Sequence, residues 1–374
     1  LHIALFTLFL LMMVTTSYAK TVKPESSTLV IDPAHPEMAI WNDPVFKKQF
    51  IAGYGINSEI EPRVMPEEVE MLEKIRPLMS EDLAKAEITL RNQIKPDSSA
   101  ILDFTLGGIQ FQQDKFIDAL GNYRKAVEKF PSFRRAWRNL GLIFVKDGNY
   151  DEAIKAFTRM IELGGGDAYS YGLLGFAYAS KQDYQAAEAA YRNALLLQPE
   201  NTEWRLGVTR CAFKQQKFED AVTLLEGLIA RYPDKIDFWL LQAQAYLGMK
   251  QPLKAAENLQ AIDHLGKSTL DGLQTLGDIY VSENLVDLAG RAYQRAIDVD
   301  GKKSFGRLLQ SADMLASRGS LTQARDVATH LKEVWGKDIP EMDHRKLLKL
   351  EARINMADGS ENTETVKILE EIIK

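Results

Sequence analysis

The chain has 374 residues, 45% of them hydrophobic and 26% charged, with a formal net charge of −6 and a single cysteine. Hydrophobic content at this level excludes a disordered or collagen-like chain, and the acidic balance removes the overall electrostatic footprint of a nucleic-acid binder. One cysteine excludes an internal disulfide.

Leu1 to Ala19 contains no acidic or basic residue (His2 is neutral), carries an apolar run from Ile3 to Val14, and ends Ser17-Tyr18-Ala19 before Lys20. That is the pattern of a secretory signal peptide without its basic n-region. It predicts residues 1–19 as a cleaved leader and a periplasmic or extracellular location. An uncleaved anchor is the alternative and would be the protein's membrane contact, although the run is short of the roughly 20 apolar residues of a span.

Residues 20–65 lack helical periodicity and are punctuated by Pro24, Pro33, Pro36, Pro44 and Pro62, which predicts an extended segment. Asn42 or Asp43 can cap a short helix with Pro44 at its first position. The aromatic cluster Trp41, Phe46, Phe50 and Tyr54 predicts a cap over the structure that follows, with an independent docking peptide as the alternative. Residues 66–99 read as a degenerate helix pair, Glu67 to Met79 and Glu81 to Ile94.

A ruler of 34 residues then governs the chain. It passes through Ala119, Ala153, Ala187, Ala221, Ala255 and Ala289 (153 − 119 = 34), with Ala324 one residue late. A companion small position follows it as Gly107, Gly141, Gly175, Thr209, Ala243 and Gly277, with Ala312 again one late. Tyr123, Phe157, Tyr191 and Tyr293 share one offset, Phe116, Tyr150, Tyr184 and Phe218 another, and Pro131, Pro199 and Pro233 a third. Two apolar stripes at helical spacing per period make each unit a helix-turn-helix, and a fixed period of this length means a repeat array. Seven units follow, at 100–133, 134–167, 168–201, 202–235, 236–269, 270–304 and 305–338, the last two closing on Gly301 and Gly336 in place of proline. Cys211 falls where neighbouring units place Ala177 and Ala245, which predicts a small buried hydrophobe. Residues 339–374 read as a further helix pair, Met342 to Met356 and Glu364 to Ile373. The apolar ending at Ile372 and Ile373 predicts a longer natural protein.

These residues resemble the tetratricopeptide repeat family. The resemblance implies an all-α, right-handed superhelical solenoid whose first helices line a concave groove, with the second, fifth, ninth and twelfth residues of each pointing into it. Carried over unit by unit, the front of that groove receives Ile101, Phe104, Phe111, Arg135, Arg138, Tyr169, Phe176, Arg210 and Phe213. The back receives Asp237, Asp271, Asp278 and Asp313. The expected groove is aromatic and basic at the front and acidic at the back. Phe104 and Gly108 occupy the positions of the Lys and Asn by which some members clamp chaperone tails, so that ligand is not expected.

Catalytic spacing is missing. His2, His35, His264, His330 and His344 are scattered, with no H-E-x-x-H and no cysteine partners, so no metal site is expected. Gly53 and Gly55, and Gly164 to Gly166, do not form a phosphate loop, and no G-x-S-x-G occurs. Asp151, Glu152 and Glu188 are expected on solvent faces. The expectation is a non-enzymatic, cofactor-free exported scaffold that binds a protein or peptide; the alternative is the interaction half of a larger enzyme or secretion component.

Overall fold

A computed structural model describes residues 61–359 and 363–373. The leader, the Asn42/Asp43 helix and the aromatic stretch from Trp41 to Tyr54 lie outside the described residues.

Every regular element among the described residues is helical. A leading pair, α1 (Pro66–Glu81) and α2 (Leu83–Arg91), precedes α3 (Ala100–Gln112), α4 (Phe116–Lys129), α5 (Arg134–Lys146), α6 (Tyr150–Glu162) and α7 (Ala168–Ser180). Then come α8 (Tyr184–Leu197), α9 (Thr202–Lys214), α10 (Phe218–Arg231), α11 (Ile236–Gly248), α12 (Pro252–His264), α13 (Leu270–Ser282) and α14 (Val286–Asp300). The last are α15 (Phe305–Ser317), α16 (Leu321–Trp335), α17 (Glu341–Ala357) and α18 (Thr363–Ile373). No described helix is long and apolar enough to cross a membrane. The described helices fall into two compact units, one reaching Lys181 and including Leu196 to Gln198, the other formed by 182–195 and 199–374.

The leading pair departs from expectation at its joint. Pro66 is the first residue of α1, where its missing N–H costs nothing, and the helix runs past Pro77 to Glu81. Asp82 alone separates the two helices: it ends α1 in extended geometry and caps α2 by accepting from the Lys85 N–H at 2.9 Å.

Within each unit the helices cross at the small residues. All seven ruler alanines are 0% exposed. A methyl group added to Gly107 would stand 2.9 Å from the Tyr123 ring, one on Gly141 2.8 Å from Phe157, and one on Gly277 2.2 Å from Tyr293. Those aromatic rings lie sixteen residues on (123 − 107 = 16) and fill the space that glycine leaves. Where the sixteenth residue is the smaller Leu225 or Leu259, the first-helix position is Thr209 or Ala243, and all four are buried. Thr209 satisfies its hydroxyl on the Arg205 carbonyl at 2.8 Å. The threonine that breaks the small-residue rule is therefore matched by a leucine in place of a tyrosine. Cys211 is buried, as a small apolar residue.

The turn inside each of the seven repeat units uses a left-handed residue. Asp114, Gly148, Gln182, Gln216, Lys250, Asn284 and Gly319 occupy it with positive φ, and only two of the seven are glycine. Gly301 and Gly336 end α14 and α16 with φ of 61° and 54°, which a residue with a Cβ adopts only under strain.

Two glycine-to-alanine substitutions test this frame with opposite signs. Gly148→Ala puts a Cβ on a φ of 72° and is expected to lower stability by about 1 kcal/mol. Gly121→Ala, mid-helix on α4 with nothing within 4 Å, should raise it by about 0.5–1 kcal/mol. Denaturant unfolding of both variants measures the difference.

Candidate functional site

The site is assembled from the segment before α1 and the first helices α3 and α5. Glu68, in the first turn of α1, accepts from the Met65 N–H at 3.0 Å and from the Ser99 N–H at 2.8 Å, fastening the start of α1 to the start of α3. Burial opposes ionisation of Glu68, but these backbone donors outweigh it and hold its carboxyl below the ordinary range.

Ahead of α1, Glu61 is 6% exposed. Arg135 of α5 donates from Nε to its Oε1 at 2.7 Å and from a second nitrogen to Oε2, a two-pronged grip on the carboxylate. The same guanidinium lies 5.1 Å from the Phe104 ring centre and 5.6 Å from that of Phe133. Those rings pack on each other at 4.7 Å, with Tyr123 at 5.5 Å from Phe104. The rings hold the cation flat and shield it from water, which strengthens its hold on an anion. One turn along α5, Asn139 is 3% exposed and its Nδ2 has no hydrogen-bond partner. Arg138 pairs through Nε with Asp167 at 2.9 Å, and Asp167 also caps α7 by accepting from the Ser170 N–H. Tyr169 next to it is 40% exposed.

Three of the expected groove residues are corrected. Phe104, Phe111 and Phe176 are buried rather than presented at a surface. Phe111 meets Phe116 edge-on at 5.3 Å, and Phe176 meets Tyr150 edge-on at 5.9 Å. Phe104 packs on Phe133 and Tyr123, so all three rings belong to the core. Ile101 is half-buried against the cluster of Leu102, Leu106 and Ile109.

In the second unit, Arg210 and Phe213 are half-buried, and Phe213 packs on Phe218 at 5.4 Å. Burial pushes the Glu203 carboxyl up, against the charges of Arg210 and Lys235. Asp237 is exposed. Two of the four aspartates expected at the acidic back are paired with cations. Asp271 pairs with Arg307 at 2.5 Å, Asp313 pairs with Arg353 of α17, and Asp278 accepts from the Tyr293 hydroxyl at 2.6 Å. Lys346 and Lys349 line the cleft beside Asp313. The balancing cations sit at other helical positions and on α17, where a count of first-helix positions does not reach.

Glu188 is also corrected: it is buried, not on a solvent face. It accepts from Gln215 at 2.7 Å and Lys217 at 3.1 Å, with Arg192 at 2.6 Å. Glu87 repeats the arrangement with Gln113 at 3.0 Å, Lys115 at 2.6 Å, and Arg91. For both, burial opposes the charge but the hydrogen bonds win, and the carboxyls lie below the ordinary range. The missed signal is in the sequence: Glu-x-x-x-Arg on a second helix, followed by Gln-x-Lys at the next turn. Glu61 and Phe133, by contrast, carry no sequence signal for their role. Among the described residues, no group of three or more His, Cys, Asp and Glu converges as for a metal ion.

Stacked helix pairs with charged and aromatic residues on their first helices define an all-α helical-repeat protein of the interaction-scaffold class. Residues 104–168 and 178–245 each match a tetratricopeptide repeat family model. The chain carries tetratricopeptide repeats over these residues.

It is similar to cellulose synthase operon protein C of Pseudomonas fluorescens, 29% identical over 143 residues, which cover 35% of this chain and 11% of that protein. It is also similar to anaphase-promoting complex subunit 3 of Schizosaccharomyces pombe, 23% identical over 208 residues, covering 55% of this chain and 31% of that one. The chain thus spans a third or less of these relatives. In fold it matches the C-terminal part of a repeat protein from Cytophaga hutchinsonii with a TM-score of 0.50 at 14% identity, covering 66% of this chain and 98% of that one.

Two measurements check the assignments. Phe111→Ala should cost about 3–5 kcal/mol as a core truncation, while Ile117→Ala, at a residue 85% exposed, should stay within about 0.5 kcal/mol. For Glu87 and Glu188, a folded pKa below the unfolded value means stability that is full above about pH 4.3 and is lost as pH falls through the folded value. The melting temperature should therefore drop as pH falls below about 4.3, and the Glu87→Gln/Glu188→Gln double variant should show a flatter decline.

Proposed function

We propose that the protein is an exported, non-catalytic scaffold that holds a protein or peptide partner against its first helices. Tetratricopeptide repeats in general mediate protein–protein interaction. The observation that carries the finer reading is the α5–α7 face, where Arg135 grips a carboxylate over two aromatic rings and Arg138 and the exposed Tyr169 continue alongside. Partly exposed Arg and Tyr anchors beside buried rings are the residue types that dominate interface energies. Export rests on the uncharged leader ending at Ala19.

A crosslinking pull-down from envelope extract, run with residues 20–374 and beside an Arg138→Ala/Tyr169→Ala variant, tests the face. A protein captured by the parent and lost by the variant is the expected result; equal capture by both counts against this surface. N-terminal sequencing of the native protein should begin at Lys20, and an intact leader would remove the cleavage reading.

A further inference from the structure

The last two helix pairs carry two clefts that meet at one lysine. The first lies between α15 and α17 and has a volume of about 460 Å³, within the roughly 300–1,000 Å³ usual for a small-ligand pocket. Its lining includes the buried Leu309 and Leu350, and its α17 side presents Lys346, Lys349 and Arg353. Two of these cations have partners: Lys346 pairs with Asp343 at 2.7 Å, and Arg353 pairs with Asp313. Lys349 is exposed and makes no hydrogen bond or ion pair with any described residue. Arg353 gives one nitrogen to Asp313, and a guanidinium has further donors to offer. Lys349 is thus an uncompensated positive charge beside an apolar lining.

The second cleft shares Lys349 and Arg353 and lies between α17 and α18, with a volume of about 560 Å³. Its remaining lining is Ala352, Met356, Ala357 and Leu369. Met356 is 62% exposed and Leu369 39%, and Val366, one turn before Leu369, is exposed as well. Apolar side chains grouped in this way on a surface mark contact with something apolar. Apart from the two cations, the lining side chains are all apolar, so an extended peptide laid there would find no partner for its backbone amides and carbonyls. A hydrocarbon chain needs none. A free cation with an apolar cleft leading away from it is complementary to a negative head on a hydrocarbon tail.

We propose that Lys349, Arg353, Ala352, Met356 and Leu369 form a binding site for a single-chain anionic amphiphile, a fatty-acid carboxylate whose head pairs with Lys349 and whose tail lies in the α17–α18 cleft. The site belongs to the second compact unit and owes nothing to the face that carries Arg138 and Tyr169. Either can therefore fail while the other stands.

Isothermal titration calorimetry of the full chain with sodium laurate, kept below its micelle concentration, should show saturable binding of one laurate per chain. Decanoate, two methylenes shorter, should bind about tenfold more weakly, since each buried methylene is worth about fourfold in affinity. Dodecyltrimethylammonium carries the same tail length under the opposite charge and should bind about tenfold more weakly or worse. Lys349→Glu should lose laurate by a similar factor while its unfolding midpoint stays at the parent value, because Lys349 has no partner to lose. Met356→Gln should weaken laurate about threefold or more, and it decides alone should Lys349→Glu fail to fold. Equal laurate affinity in the parent and Lys349→Glu overturns the proposal, as does equal binding of the two dodecyl probes or an isotherm that never saturates. Binding to phosphatidylglycerol vesicles without binding of monomeric laurate would assign the surface to a membrane and overturn it too.

Discussion

Everything in this protein depends on how closely two helices can approach. At the crossing inside a repeat, a glycine faces a tyrosine or phenylalanine ring at a distance that leaves no room for a Cβ, as at Gly107 and Tyr123 or Gly141 and Phe157. The ring supplies buried area worth about 1.5–3 kcal/mol, and the glycine lets the backbones come close enough to capture it. Conservation of total volume matters more than either residue alone, since Thr209 with Leu225 and Ala243 with Leu259 fill the equivalent place by a different partition. Because each pair completes its core only against its neighbours, stability accumulates along the array.

Electrostatics supplies a second kind of joint. Glu87 and Glu188 are buried carboxylates on second helices that collect donors from the following turn. A buried charge is tolerable only when its hydrogen bonds are met, and here glutamine and lysine meet them. Glu68 does the same at the start of the array with backbone donors. These contacts set the register between successive elements, and Glu68 in particular anchors the chain just after the segment that delivers Glu61 to Arg135.

A frame that takes its stability from buried small residues and rings leaves first-helix positions such as Arg135 and Arg138 to carry charge. Arg135 illustrates the economy of the arrangement. Its guanidinium rests on core rings, Phe104 and Phe133, so the cation that holds the Glu61 carboxylate is braced by the interior.

The 34-residue ruler by itself determined the all-α class, the helix-pair unit and the crossing positions, because alanine and glycine recur only where backbones meet and every copy repeats the constraint. The burial of Cys211 followed from the same register. The candidate site was less legible. Phe104, Phe111 and Phe176 sit at positions that the family resemblance assigns to the groove, and the packing of Phe133, Phe116 and Tyr150 against them places them in the core. The left-handed turn residues escaped notice because five of the seven are not glycine, so the strain is borne by the surrounding helices rather than announced by composition. The pairing of Glu61 with Arg135 spans 74 residues, a separation at which no periodicity connects two side chains. Local spacing specifies what repeats; only tertiary structure decides which distant charge fills the pocket that the repeats create.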